Sequence, residues 1–295
     1  MKPSDRLPLR FRPPLHVPYR RLCCALQHLR RHAAAPEPLR QKTLLFVVCE
    51  PRTGSNLLIS YLNQLDGIRL EGELLHVNRF RDIHFSPSTA RAELDRQLLA
   101  LDGDIVGCKL MIHQLEHAQL GFSELKQRYP QARFVLLYRQ SLIDQFISSR
   151  LARQTKQYQQ HVVDRSAPGT APELSFRSTR DQLSYHCGLQ RRRYRWAFRA
   201  LGPATALLSY EELVADPVAA VNLVLLSFGR EVDRLGSSAL VKQQTRDPRE
   251  VLLNYDELIG DPNHPSLWLA PPFGSRSGKR QRGSPPTRNQ RRSAR

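Results

Sequence analysis

An unbroken apolar run from Thr43 to Cys49 (TLLFVVC) gives way to a polar stretch, Glu50-Pro51-Arg52-Thr53-Gly54-Ser55-Asn56. Apolar positions at helical spacing follow: Leu57, Leu58, Tyr61, Leu62 and Leu65. A continuous, partly β-branched run fits a strand buried on both faces, and the i, i+3/i+4 pattern fits a helix, so this stretch predicts strand, tight loop and helix. Similar runs recur along the chain. Ile68 to Leu75 reads as a short strand entering a loop, Ile105 to Met111 as a strand, and His113 to Arg128 as a helix stopped before Pro130. Arg133 to Tyr138 is a buried strand that delivers Arg139 at its end, and Ser141 then caps a long helix reaching about Gln160. Asp164 to Phe176 is a Pro/Gly-containing loop long enough to act as a lid. Thr179 to Leu201 is an amphipathic helix, Thr205 to Tyr210 a strand, and Pro217 to Phe228 a helix with proline in its first turn.

Strands alternating with helices imply an α/β fold: a mainly parallel central sheet with helices on both faces and ligands at the carboxyl ends of the strands. Arg52, Glu73, Lys109 and Arg139 all stand at or just beyond such ends.

Charge refines the domain plan. The chain has 295 residues and a formal charge of +18, but residues 1–42 hold +8 and residues 275–295 another +8, leaving the body at +2. We expect a basic, Pro/Arg-rich extension over 1–42, a domain over 43–270 and a basic tail over 271–295. High pI here describes the ends, so it does not imply a nucleic-acid groove across the domain. Most of this extension and the basic tail are expected to be disordered and solvated; a short basic helix within Tyr19 to His32 would suit either weak contact with an anionic membrane surface or an organelle-targeting remnant. The five cysteines are odd in number and form no CxxC pair, which fits reduced thiols in a cytoplasmic setting. No apolar run approaches the ~20 residues of a membrane span.

The chemistry begins at the loop. A strand-to-helix turn presents backbone N–H groups, backed by the helix dipole, to one point that suits an anion. Gly54 permits close approach, Ser55 and Asn56 suit the helix N-cap, and Arg52 adds a charged planar fork. The Lys and hydroxyl that end a Walker A loop are missing. A second signal is YRQSLIDQFISS, where Arg139 at a strand end and Ser148 two helical turns on can share a further phosphate.

PRTGSN after an apolar strand resembles the 5′-phosphosulfate loop of sulfotransferases that use 3′-phosphoadenosine-5′-phosphosulfate (PAPS), and YRQSLIDQFISS resembles their 3′-phosphate motif. LLSYEELVADP is similar to the family's strand-to-helix segment near the nucleotide. GELL, VGCKLM, LARQTKQY and QQTRDPREVLLNY are similar to the bacterial branch containing the trehalose 2-sulfotransferases and the nodulation-factor sulfotransferases. The resemblance covers about Thr43 to Tyr255.

It implies a P-loop-like sulfotransferase fold and sulfuryl transfer from PAPS, without a metal, to a hydroxyl of a carbohydrate or glycolipid. Arg52 and the amides of Thr53, Gly54, Ser55 and Asn56 would hold the phosphosulfate, and Arg139 and Ser148 the 3′-phosphate. Glu73 matches the family's base and is expected to have a raised pKa; Glu71 lies two residues away, where an unbroken strand would put both on one side. Lys109 would contact the leaving oxygen or the acceptor, Tyr210 the adenine, Arg246 the nucleotide, and His113 the acceptor. Two other readings stay open. His113-Gln114-Leu115-Glu116-His117 is an HxxEH string of inverted zinc-hydrolase type, and the basic ends suit a non-catalytic nucleotide- or nucleic-acid-binding protein.

Overall fold

The computed structural model describes residues 34–76, 86–156, 174–238, 240 and 247–271. Five strands, β1 (Thr43–Cys49), β2 (Ile68–Glu73), β3 (Ile105–Met111), β4 (Arg133–Tyr138) and β5 (Ala206–Ser209), form one sheet in the order β2-β3-β1-β4-β5. Every ladder is parallel. β1 is central because its side chains are apolar on both faces and alternate between two cores. Leu44, Phe46 and Val48 enter one, and Leu45, Val47 and Cys49 the other.

The larger core is covered by α3 (Pro87–Leu99), α4 (Ile112–Ala118), α5 (Phe122–Arg128), α6 (Leu142–Thr155) and α7 (Arg180–Leu201). The second face is covered by α2 (Ser55–Leu62) and α9 (Pro217–Leu225), the latter preceded by α8 (Tyr210–Ala215). The fold is therefore α/β, with a parallel sheet between two helical layers. Upstream, α1 (Glu37–Arg40) buries Leu39 completely in the larger core. The packed body thus includes residues placed by the sequence reading in an extension ending at Lys42. Burial of one such leucine contributes roughly 2 kcal/mol, enough to hold a one-turn helix in place.

Three local expectations change. The single helix expected over His113 to Arg128 is two, because Gln119 adopts a left-handed conformation (φ 54°) that closes α4, and Gly121 caps α5. Buried Leu120 plugs the break. β2 does not alternate simply: its pairing shifts between Glu71, opposite Cys108, and Glu73, opposite Lys109. The extra residue, Gly72, makes this a bulge, so the expected common side for Glu71 and Glu73 is lost. The strand expected to include Tyr210 ends at Ser209, whose side chain forms a capping box with Glu212 and starts α8. Residues 1–33 and 272–295 of the basic ends, with the helix expected within Tyr19 to His32, most of the lid-like loop, and Arg246 lie outside the described residues.

Candidate active site

The loop after β1 reaches the carboxyl edge of the sheet where β3 and β4 flank β1 on opposite sides, the place where an open parallel sheet leaves a crevice. Its backbone curls through two left-handed residues, Arg52 (φ 68°) and Gly54 (φ 81°). Gly54 is the N-cap of α2, and the first helical bond runs from Leu58 N–H to the Gly54 carbonyl at 3.0 Å. The amides of Ser55 and Asn56 therefore precede the helical ladder, free of it for an anion. The expected side-chain capping by Ser55 or Asn56 is not seen, because Gly54 occupies the cap and its φ is open to glycine at little cost.

Side chains from distant segments fasten this loop. Thr53 donates its hydroxyl to the Glu50 carbonyl at 2.8 Å, Gln145 donates to the Pro51 carbonyl at 2.8 Å, and the Glu50 amide donates to the Tyr194 hydroxyl at 3.1 Å. Glu50 is itself only 1% exposed; it accepts from the His113 amide at 2.9 Å and pairs with Arg193 at 2.9 Å. No motif in the sequence marks Glu50, Gln145, Tyr194 or Arg193 as part of the site. Their partners lie 63 to 144 positions away, a separation that no local pattern reports.

Two guanidinium groups meet above the loop. Arg52 Nε donates to Ser148 Oγ at 2.8 Å, and Arg139 Nη1 reaches the Arg52 carbonyl at 3.4 Å. Burial, followed by the neighbouring Arg139 cation, lowers the Arg52 pKa from its ordinary value. Arg139 is 8% exposed, with its guanidinium 4.7 Å above the centre of the Tyr210 ring. Its carboxylate neighbours stand off, Asp144 at 3.8 Å and Glu211 at 4.0 Å, and its buried Nε has no hydrogen-bond partner among the described residues. Such concentrated positive charge suits an anion carrying several oxygens.

Tyr210 also closes the underside of the loop. A Cβ on Gly54 would lie 2.5 Å from Tyr210 Cδ2, and the left-handed φ adds strain. Gly54→Ala is therefore expected to destabilise the fold by roughly 1–3 kcal/mol, read as a lower midpoint in urea unfolding with an unchanged slope.

The second cluster centres on Glu73. Lys109, 4% exposed, donates to Asn56 Oδ1 at 2.7 Å and pairs with Glu73 Oε1 at 3.1 Å; Gln114 donates to Glu73 Oε2 at 2.6 Å. Burial on its own would raise the Glu73 pKa, but the Lys109 charge and the hydrogen bonds from Lys109 and Gln114 outweigh it, and the net shift is downward. The expected rise is therefore corrected: Glu73 is held as a carboxylate. Lys109 links this cluster to the anion loop through Asn56. His113 stands nearby, its Nδ1 3.5 Å from Glu50 Oε1.

The structure thus brings Arg52, Thr53, Gly54, Ser55, Asn56, Arg139, Ser148 and Tyr210 to one edge, with Glu73, Lys109 and His113 beside them. Glu116 of the HxxEH string pairs with Arg193 at 2.7 Å. Among the described residues, no group of three or more His, Cys, Asp and Glu side chains is arranged to hold a metal ion.

No protein-family model matches the chain. Nodulation protein H of Rhizobium meliloti (strain 1021) is 26% identical over 224 residues, covering 72% of this chain and 88% of that protein. Nodulation protein H of Rhizobium tropici is 27% identical over 242 residues, covering 76% and 88%. Among solved structures, a sulfotransferase from Alicyclobacillus acidocaldarius aligns with a TM-score of 0.44 at 15% identity, over 75% of this chain and 95% of that one. The sulfotransferase domain of the Synechococcus PCC 7002 olefin synthase aligns with a TM-score of 0.38 at 16% identity, over 68% and 76%. The chain is thus similar over most of its length to nodulation protein H of two rhizobial species, which agrees with the resemblance carried by its motifs.

Proposed function

We propose that the protein transfers a sulfuryl group from PAPS to a hydroxyl of a carbohydrate or glycolipid. The observation that carries this reading is the pair Arg52–Arg139 above the loop amides, with a buried Arg139 Nε that has no hydrogen-bond partner among the described residues and carboxylates standing at 3.8 and 4.0 Å. A donor with a phosphosulfate at one end and a 3′-phosphate nearby supplies the several oxygens that such a site needs. Beside the loop stand a carboxylate and an ammonium, Glu73 and Lys109, the latter bonded to Asn56 of the loop.

PAPS supplies the sulfuryl group. Arg52 and the amides of Thr53 to Asn56 would hold the phosphosulfate, with Arg139 and Ser148 on the 3′-phosphate. As the bond from sulfur to the bridging phosphate oxygen breaks, Arg52 and the amides stabilise the charge growing on that oxygen. The acceptor oxygen forms the new bond to sulfur, and its proton passes to the Glu73 carboxylate. Adenosine 3′,5′-bisphosphate leaves. Lys109 begins on Glu73 and Asn56; moving toward the growing charge, it would relieve the downward pull on the Glu73 pKa and strengthen the base as the reaction proceeds.

A second base has a specific observation in its favour: His113 lines the same cleft as Arg52, with its Nδ1 facing Glu50. Comparing Glu73→Gln with His113→Asn separates the two. The reading as a whole is tested by incubating the full-length chain with sulfur-labelled PAPS and a panel of glycans and glycolipid extracts. Equal yields of labelled acceptor and adenosine 3′,5′-bisphosphate are expected. Absence of transfer together with absence of nucleotide binding would overturn it.

A further inference from the structure

Between α6 and α7 runs a groove of about 540 Å³ that ends at the Glu50-Pro51-Arg52 corner of the anion loop. From α7 it receives Gln182, Tyr185, His186, Leu189, Gln190 and Arg193, one continuous face of a helix. From α6 it receives Phe146, Ser149, Arg150 and Arg153.

Its inner surface is polar and unsatisfied. Gln190 is 4% exposed, yet among the described residues its Oε1 has no hydrogen-bond partner, and the buried Nε2 of His186 has none either. Leaving buried polar atoms unpaired is costly, so such atoms facing a groove point to a ligand with hydroxyl or amide groups. Burial lowers the His186 pKa to about 4, which keeps the ring neutral near pH 7. Flat apolar surface accompanies these groups: Phe146 and Leu189 line the groove, and Tyr185 stands 70% exposed at its edge. A saccharide offers hydroxyls to the first set and ring C–H faces to the second.

The groove is also charged. Glu50, the carboxylate that lines it, is engaged by Arg193. Arg150 rests 5.6 Å from the centre of the Phe176 ring, and neither Arg150 nor Arg153 has a carboxylate partner among the described residues. With Arg52 at the end, the cations outnumber the acid.

Resting on the sulfotransferase reading, we propose that this groove is the acceptor site and that the acceptor is an anionic saccharide. Its carboxylate or phosphate meets Arg150 and Arg153, and its hydroxyls meet Gln190 and His186. The seat ends beside Arg52, where the acceptor hydroxyl must arrive.

Calorimetric titration of the full-length chain, saturated with adenosine 3′,5′-bisphosphate, tests this with three probes: a uronic-acid tetrasaccharide, a phosphorylated tetrasaccharide and a neutral one. At least one acidic probe should bind about tenfold or more tighter than the neutral one, with the difference shrinking as salt rises. Which acidic probe wins identifies the anionic group. The double variant Arg150→Gln/Arg153→Gln should abolish that preference while leaving nucleotide affinity unchanged. Gln190→Leu should weaken acidic and neutral probes alike, by about tenfold. Equal affinity for acidic and neutral probes, or a preference that survives the double variant, would overturn the proposal. So would loss of nucleotide affinity in the double variant, which would assign these arginines to the donor. Binding with the predicted preference but no transfer from PAPS would sink the sulfotransferase reading instead and leave the anionic-saccharide groove standing.

Discussion

Arg52→Ala is expected to lower kcat/KM for sulfuryl transfer by about 10²–10³-fold, the usual loss on removing one preorganised donor from a developing oxyanion. The physical reason lies in its surroundings. Arg52 is held in place through Nε by Ser148, and its charge sits beside that of Arg139 in a largely buried setting where screening is weak. Arg52→Lys keeps the charge but loses the planar fork, so its activity should fall between those of the wild type and the alanine variant. Ser148→Ala should cost less than Arg52→Ala, since it loosens the guanidinium without removing it. A circular-dichroism melt is needed alongside, because position 52 has a left-handed φ of 68° and its replacement also changes the loop. Near-normal turnover in a folded Arg52→Ala protein would contradict the assignment of this group to the transition state.

Glu73→Gln is expected to reduce kcat by about 10²–10⁴-fold while leaving nucleotide affinity largely intact, because the change preserves shape and removes the proton acceptor. The pH profile adds a readout that a structural role would not move. The folded-state pKa of Glu73 is lowered, so the carboxylate is ionised at neutral pH and activity is lost as pH falls through that lowered value. The acid limb of kcat/KM should therefore lie below the ordinary glutamate value of about 4.3. Lys109→Met removes both the charge and the hydrogen bond that hold the value down, and should move the acid limb upward. If Glu73→Gln retains near-normal turnover while His113→Asn loses it, the base is His113.

Much of the scaffold was legible because it rests on local patterns. β1, β3 and β4 stand where the largely apolar runs of TLLFVVC, IVGCKLM and RFVLLY put them, since a strand buried on both faces is apolar over most of its length. Thr179 caps α7 and Ser141 caps α6, each through its own hydroxyl. The elements that departed from expectation depend on single residues with more than one available conformation. Gln119 breaks a helix that periodicity would continue, and Gly72 inserts a bulge that places Glu71 and Glu73 on different sides of β2. Tyr210 carries strand propensity, but the Ser209–Glu212 capping box starts a helix at that point.

By itself, then, the sequence determined the parallel α/β scaffold, the placement of Arg52, Glu73 and Arg139 at or just beyond strand ends with Lys109 two residues inside that of β3, and the resemblance to sulfotransferases, because each is encoded in contiguous residues. Tertiary structure decided the electrostatic state of the site: Glu73 held as a carboxylate by Lys109 and Gln114, Arg52 locked to Ser148, and Glu50 buried against Arg193. It also decided the α6–α7 groove, whose two walls come from separate segments of the chain. Charge, burial and cavity shape arise between residues far apart in sequence, and folding is what sets the distances that govern them.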